Sequence, residues 1–381
     1  MNLTAKKILA ARIPDRRIDL LRGLANWFLF LDHVPHNIVN LLTLRNFGFS
    51  GATDMFVFVA GYAAAVFFGK MAQERGFVVT ATRILRRMWQ LYAAYVVLFV
   101  IYIDIISNVA AQYFTTEIID EYNVTGIVDH PLRTLMRGLM LQAKPLNLDT
   151  LQLFVALMAF FPIILWSTLR RPNLALGASF ALYAAARVFD WSLPSFPSGT
   201  WYFNPFCWQL LFVLGTWFAV NGARLTAAAH RLLWLRIAAC AYLLFALVVT
   251  VAAHSPAVAS VLPNFGLDPF APTDKENLAF YRVVHLLALA LLFTYLVPRY
   301  WPVLRSWWLE PIMKCGEEWL TSFCVGVFLS FAAHFILITG PNSVLMQVLV
   351  SVTGIAMMTA IAYYISWSRR QDSSSALRAE A

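Results

Sequence analysis

The sequence predicts an all-α, polytopic membrane bundle of about ten transmembrane helices, with both termini cytoplasmic. Three observations carry that reading. Of the 381 residues, 60% are hydrophobic and 13% charged, and the mean hydropathy is +0.66. An ordinary soluble chain is about 45–50% apolar and about 25% charged. Apolar runs near the ~20 residues that cross a bilayer recur along the chain. Between them, Lys and Arg collect at every second junction, as they do in cytoplasmic loops. The net charge of +9 comes from those clusters, so no nucleic-acid partner is implied.

Residues 1–23 form a basic cytoplasmic segment. They carry no long apolar run and no small-residue cleavage site, so they are not read as a signal peptide. The first span is expected at about 24–44 and the second at about 53–69. A basic loop with Lys70, Arg75, Arg83, Arg86 and Arg87 leads to a third span at about 88–109. Segment 112–131 holds Glu117, Asp120, Glu121 and Asp129 with no Lys or Arg, and so belongs on the far side. Arg133, Arg137 and Lys144 then recur at amphipathic spacing, which predicts a surface helix over 131–145.

The fourth span, about 149–169, ends at Arg170-Arg171, and the fifth covers about 174–190. An aromatic, Pro-containing outer loop precedes a sixth span at about 204–220, and Arg224, Arg231 and Arg236 follow it on the inner side. The seventh span is about 237–254. The loop after it, 255–277, contains Pro256, Pro263, Pro269 and Pro272 and cannot be helical throughout. The eighth span is about 278–297, with Arg299 and Arg305 at its inner end. The ninth is about 318–338, and Gly340-Pro341-Asn342 turns the chain into the tenth, about 343–366. Residues 24–366 thus read as one integral-membrane domain, and 367–381 as a polar cytoplasmic tail expected to be disordered. The four cysteines, Cys207, Cys240, Cys315 and Cys324, sit in or beside apolar spans and read as small hydrophobes.

The chemistry is concentrated near the first span. A helix turns about 100° and rises about 1.5 Å per residue. Arg22 and His33, eleven positions apart, therefore share a face about 16 Å long. Asp19, Asn26, Asn37 and Asn40 fall on it too, and His36 lies at its edge. Trp27, Phe28, Leu31 and Val34 cover the rest. A polar stripe on an apolar helix is costly against lipid, so it faces protein or a water-filled cavity. It either joins helices or serves as a site.

Arg22 suits a phosphate or carboxylate near the cytoplasm, and a neutral His33 suits a general base toward a hydroxyl. Asp32 or Asp19 could set the imidazole tautomer or balance a cation, although Asp32 lies about 80° off the stripe. Pro35 is expected to disturb the helix just after His33. Asp32, His33 and His36 are within reach of one another, but no further ligand follows at metal spacing, so no metal is expected. Arg282 and His285 lie one helical turn apart and could take an acidic acceptor or a carboxylate.

Arg22, ten residues, then His33 resembles the motif of the acyltransferase-3 superfamily. The runs Arg17-Ile18-Asp19-Leu20-Leu21-Arg22-Gly23 and Asp32-His33 more closely resemble the OpgC family, as does the stretch from Phe47-Gly48-Phe49-Ser50-Gly51-Ala52-Thr53-Asp54 to Gly61-Tyr62. The run Leu141-Gln142-Ala143-Lys144-Pro145-Leu146-Asn147-Leu148-Asp149 is similar to that family's pattern as well. The resemblance implies a membrane O-acyltransferase of the inner membrane that succinylates osmoregulated periplasmic glucans from succinyl-CoA, or another acyl-CoA. It implies that His33 is catalytic and that Arg22 contacts the donor, with Asp19 supporting Arg22 by charge; Asp32 and Asp19 join His33 as catalytic candidates, and Asn26 joins Arg22 as a donor-binding one. His36, Ser50, Asp54, Asp149, Arg282 and His285 are the candidates for substrate contact. Thr53 or Asp54 could equally cap the second span. The alternatives are an O-acetyltransferase of another envelope polysaccharide and a ten-span transporter.

Overall fold

In a computed structural model, the described residues are 15–35, 37–113, 130–143, 147–196, 198–254, 270 and 274–379. Among them there are 12 α-helices and no strand. In chain order these are α1 (Arg16–Asp32), α2 (Ala52–Arg75), α3 (Phe77–Tyr113), α4 (Pro131–Leu139), α5 (Asp149–Arg170) and α6 (Pro172–Val188). They continue with α7 (Pro205–Arg231), α8 (Leu233–His254), α9 (Phe280–Leu296), α10 (Glu310–Glu317), α11 (Trp319–Thr339) and α12 (Val344–Ala379). Seven are long and apolar enough to cross a membrane, namely α2, α3, α5, α7, α8, α11 and α12; α9 is a shorter apolar helix. The chain is a multi-pass membrane protein.

Helix ends follow local chemistry. Gly76 separates α2 from α3 at φ +83, a left-handed stop that glycine adopts without a Cβ clash. Pro172 opens α6, where a missing N–H costs nothing. The Asn204 side chain accepts from the Phe206 N–H at 3.1 Å and caps α7.

Three expectations are corrected. The first span is not one helix over 24–44: α1 starts at Arg16, ends at Asp32, and gives way to short 3-10 turns at Ile38–Leu42 and Leu44–Asn46. The segment holding Arg83, Arg86 and Arg87 is not a loop. It forms the first turns of α3, whose 37 residues make a rod about 55 Å long. The segment expected as a disordered tail continues α12 to Ala379. Arg and Lys are good helix formers, and a hydropathy window registers their charge but not their backbone preference.

The chain divides into two compact units. One comprises Ala60–Arg231 with Asp268–Val284. Here α3 packs on α5, and α7 on α6 and α5. Its core includes Phe68, Phe161 and Phe212 in edge-on contact, with ring centroids at 6.0 and 5.3 Å. The amphipathic α4 is present over Pro131–Leu139. Its Gly138 lies against the ring of Phe99, while Leu132 and Met136 are exposed.

The other unit comprises Ile13–Val59, Leu232–Leu267 and His285–Ala381. In it α1 packs on α10 and α11, and α11 on α12. Phe30, Leu31 and Val34 share a core with Cys315, Ala333, Leu337, Met358 and Ala362. A second cluster joins Leu20 to Leu304, Leu309 and Met313. Helices α1 and α10 meet backbone to backbone: a Cβ on Gly23 would strike the Ile312 carbonyl, and one on Gly316 the Asp19 carbonyl.

Candidate active site

Helix α1 is moored at its N-terminal end by charge. Asp15 is its cap and accepts from the Arg17 N–H at 3.2 Å. The Arg17 guanidinium returns to the same carboxylate at 3.0 and 2.8 Å, and donates to the Val297 carbonyl at 3.1 Å. Arg299 approaches Asp15 at 3.7 Å, and Arg16 pairs with Glu310 at 3.0 Å. This is the bidentate, charge-assisted geometry for which arginine is suited.

One turn further, Asp19 and Arg22 lie within electrostatic reach of each other. Burial pushes the Asp19 carboxyl up to about 6; the Arg22 guanidinium lowers it and Glu317 raises it, so burial wins. Asp19 is thus a half-buried carboxyl that titrates close to neutrality, beside a half-buried arginine.

Asn26, the next polar position on the stripe, is 1% exposed. Its Nδ2 donates to the carbonyls of Cys315 and Trp319 at 3.3 and 3.2 Å. Cys315 lies in the last turn of α10 and Trp319 opens α11, so the two carbonyls flank the break between these helices. Asn26 therefore fixes α1 against that break.

The helix closes at His33, whose N–H reaches the Leu29 and Phe30 carbonyls at 3.1 and 3.2 Å. His33 has φ −90 and ψ 1, and Pro35 follows two residues later, so the chain turns away where the proline predicts it. Arg22 and His33 thus stand near the middle and at the end of one helix. Asn37 and Asn40 leave the stripe. Asn37 caps the first 3-10 turn through the Val39 N–H at 3.0 Å and donates to Ser351 Oγ at 2.7 Å. His36 lies outside the described residues, as do Lys144, Pro145 and Leu146.

Asp32 holds the loop that follows. It accepts from Thr43 Oγ at 2.6 Å and pairs with Arg45 Nε at 3.1 Å. Asn46 closes the same loop on the Asn40 carbonyl at 2.7 Å. Thr43 and Arg45 were not singled out from the sequence. A signal was available for Arg45, a cation in a short loop on the side where the charge bias expects none.

The loop ends at Ser50, which is fully buried. Ser50 Oγ lies 2.6 Å from His285 Nδ1, and the Ser50 N–H donates to the same nitrogen at 3.3 Å. Gly48 packs against the far side of that imidazole, where a Cβ would collide with Nε2. The rings of Phe49 and Tyr242 lie 5.9 and 6.4 Å from it. Asp54 is a capping residue at the third position of α2: its Oδ2 accepts from the Gly51 N–H at 2.8 Å.

The other two candidates lie in the first unit. Asp149 opens α5, close enough to Tyr95 and Tyr102 to act on both phenols, while Asn147 donates to Tyr102 at 3.4 Å. Arg282 is 4% exposed at the start of α9. Chemically, the second unit offers an arginine–carboxylate pair, an imidazole at a helix terminus, and a buried hydroxyl–imidazole pair.

A family model described as OpgC protein matches residues 14–370. No curated protein and no solved structure matches the chain.

Proposed function

The chain belongs to the OpgC family, and from that premise we propose that it is an inner-membrane O-acyltransferase that moves a succinyl group from succinyl-CoA to hydroxyls of periplasmic glucans. The family makes it a glucan-modifying membrane acyltransferase. The observation that supports the finer reading is that one helix, α1, carries Arg22 near its middle and places His33 at its C-cap, both within the matched residues. In this reading both termini are cytoplasmic, Arg22 stands toward the cytoplasm, and His33 stands about 16 Å further along the axis.

Arg22 holds the anionic donor, and Asp19 keeps its guanidinium in place. Neutral His33 takes the proton of a glucan hydroxyl as its oxygen attacks the acyl carbonyl. Over the whole transfer the C–S bond of the thioester breaks and the thiolate leaves, and the imidazolium returns its proton to water. Asp32, tied to Thr43 and Arg45, acts on His33 by holding the chain around it.

The test is the mass spectrum of periplasmic glucans from cells with and without the protein. The expected result is a ladder of succinyl increments that disappears with the protein. Acetyl increments would keep the mechanism and change the donor. Identical glucans from both strains would overturn the assignment and favour the transporter alternative.

A further inference from the structure

The pair formed by Ser50 and His285 goes beyond this reading while resting on it. Two facts fix its chemistry. A backbone N–H can only donate, so the Ser50 N–H bond to Nδ1 leaves that nitrogen with its lone pair and places the ring proton on Nε2. The Ser50 hydroxyl, 2.6 Å from the same nitrogen, therefore donates to it as well. This is the arrangement of a nucleophile with its general base. Both side chains are out of water, at 0% and 1% exposure.

We propose that Ser50 carries the acyl group as a transient ester, with His285 as its base. In the first step Ser50 Oγ attacks the carbonyl carbon of the acyl thioester while His285 Nδ1 takes the hydroxyl proton. The C–S bond breaks, and the thiolate leaves to be protonated in water. In the second step the glucan hydroxyl attacks the ester carbon and loses its proton to His33. The bond from the carbonyl carbon to Oγ breaks, His285 returns its proton to Oγ, and the imidazolium of His33 discharges to solvent. No electrons are gained or lost, and the only co-reactant is the acyl thioester.

The experiment incubates the full-length protein in membranes with isotope-labelled succinyl-CoA, without and then with glucan. An acid quench and peptide mass mapping follow. The wild type is expected to show one succinyl group on the Ser50 peptide that glucan discharges. Ser50→Ala is expected to show none and to lose about 100-fold or more of glucan acylation. His285→Asn keeps an acceptor for the Ser50 hydrogen bonds but supplies no base, so it is expected to fold and to lose the adduct. Ser50→Cys keeps a nucleophile and is expected to accumulate a hydroxylamine-labile thioester, which a purely structural serine would not produce. A wild type that acylates glucan with no acyl group at Ser50 overturns the relay and leaves the proposed function standing. So does a folded Ser50→Ala protein within about threefold of the wild-type rate. A wild type that transfers nothing to glucan or to Ser50 overturns both.

Discussion

Replacing His33 with alanine is expected to lower glucan acylation by about 10²–10⁴-fold, the usual contribution of a positioned general base, while leaving the protein folded. The separation of the two effects follows from where His33 sits. What closes α1 is its backbone N–H, bonded to the Leu29 and Phe30 carbonyls, and alanine retains those bonds. The turn that follows is imposed by Pro35 and held by Asp32, Thr43 and Arg45, none of which is altered. The side chain itself is only half-buried, so its removal opens no large cavity. The comparison is succinyl groups per glucan against protein level and melting temperature in detergent. A His33→Ala protein that melts with the wild type and acylates within a few-fold of it would remove His33 from the chemistry.

The second large effect is on stability. Gly316→Ala is expected to destabilise the protein by about 3 kcal/mol or more, at or beyond the upper end for overpacking. The new methyl group would meet the Asp19 carbonyl, a backbone atom that cannot rotate away. Relief requires α1 and α10 to separate. That strains the Asn26 bonds to Cys315 and Trp319 and displaces Arg22, so activity and stability are expected to fall together. Gly23→Ala meets the Ile312 carbonyl and should behave alike. Gly177 provides the control: it lies within α6, and a Cβ added there would meet nothing within 4 Å, so Gly177→Ala should be neutral, or stabilising by about 0.5–1 kcal/mol through helix propensity. Melting temperatures of the three variants decide the matter. Equal losses at Gly177 and Gly316 would mean that the close approach of α1 and α10 is not what the glycines serve.

The helices were legible where an apolar run of membrane-crossing length stood alone. The expected fourth span at about 149–169 is α5 (Asp149–Arg170), and the expected ninth at about 318–338 is α11 (Trp319–Thr339). Legibility failed where polarity and backbone preference diverge. The arginines before residue 88 look like a loop by hydropathy, yet continue α3 because nothing in their chemistry breaks a helix. The break at His33 was readable from Pro35, because a proline acts on the turn before it.

In the site, the nearness of Asp19 to Arg22 was open to sequence reading because both lie on one helix. The bonds of Asn26 to the break after α10, and of Ser50 to His285, were not. Ser50 and His285 stand 235 positions apart, and helical periodicity says which face a residue occupies but not which distant helix meets it. Asp54 shows the opposite limit: its capping role is local, and the alternative reading of it as a cap anticipated that it would bind backbone.

The central claim is most directly tested by reconstituting the purified protein in liposomes and supplying isotope-labelled succinyl-CoA on one side and periplasmic glucan on the other. The account predicts labelled succinyl esters on the glucan when the donor is on the side of the chain termini, no transfer when the sides are exchanged, and no transfer by His33→Ala. Glucan that stays unlabelled in both orientations, from a protein with wild-type melting behaviour, would contradict it.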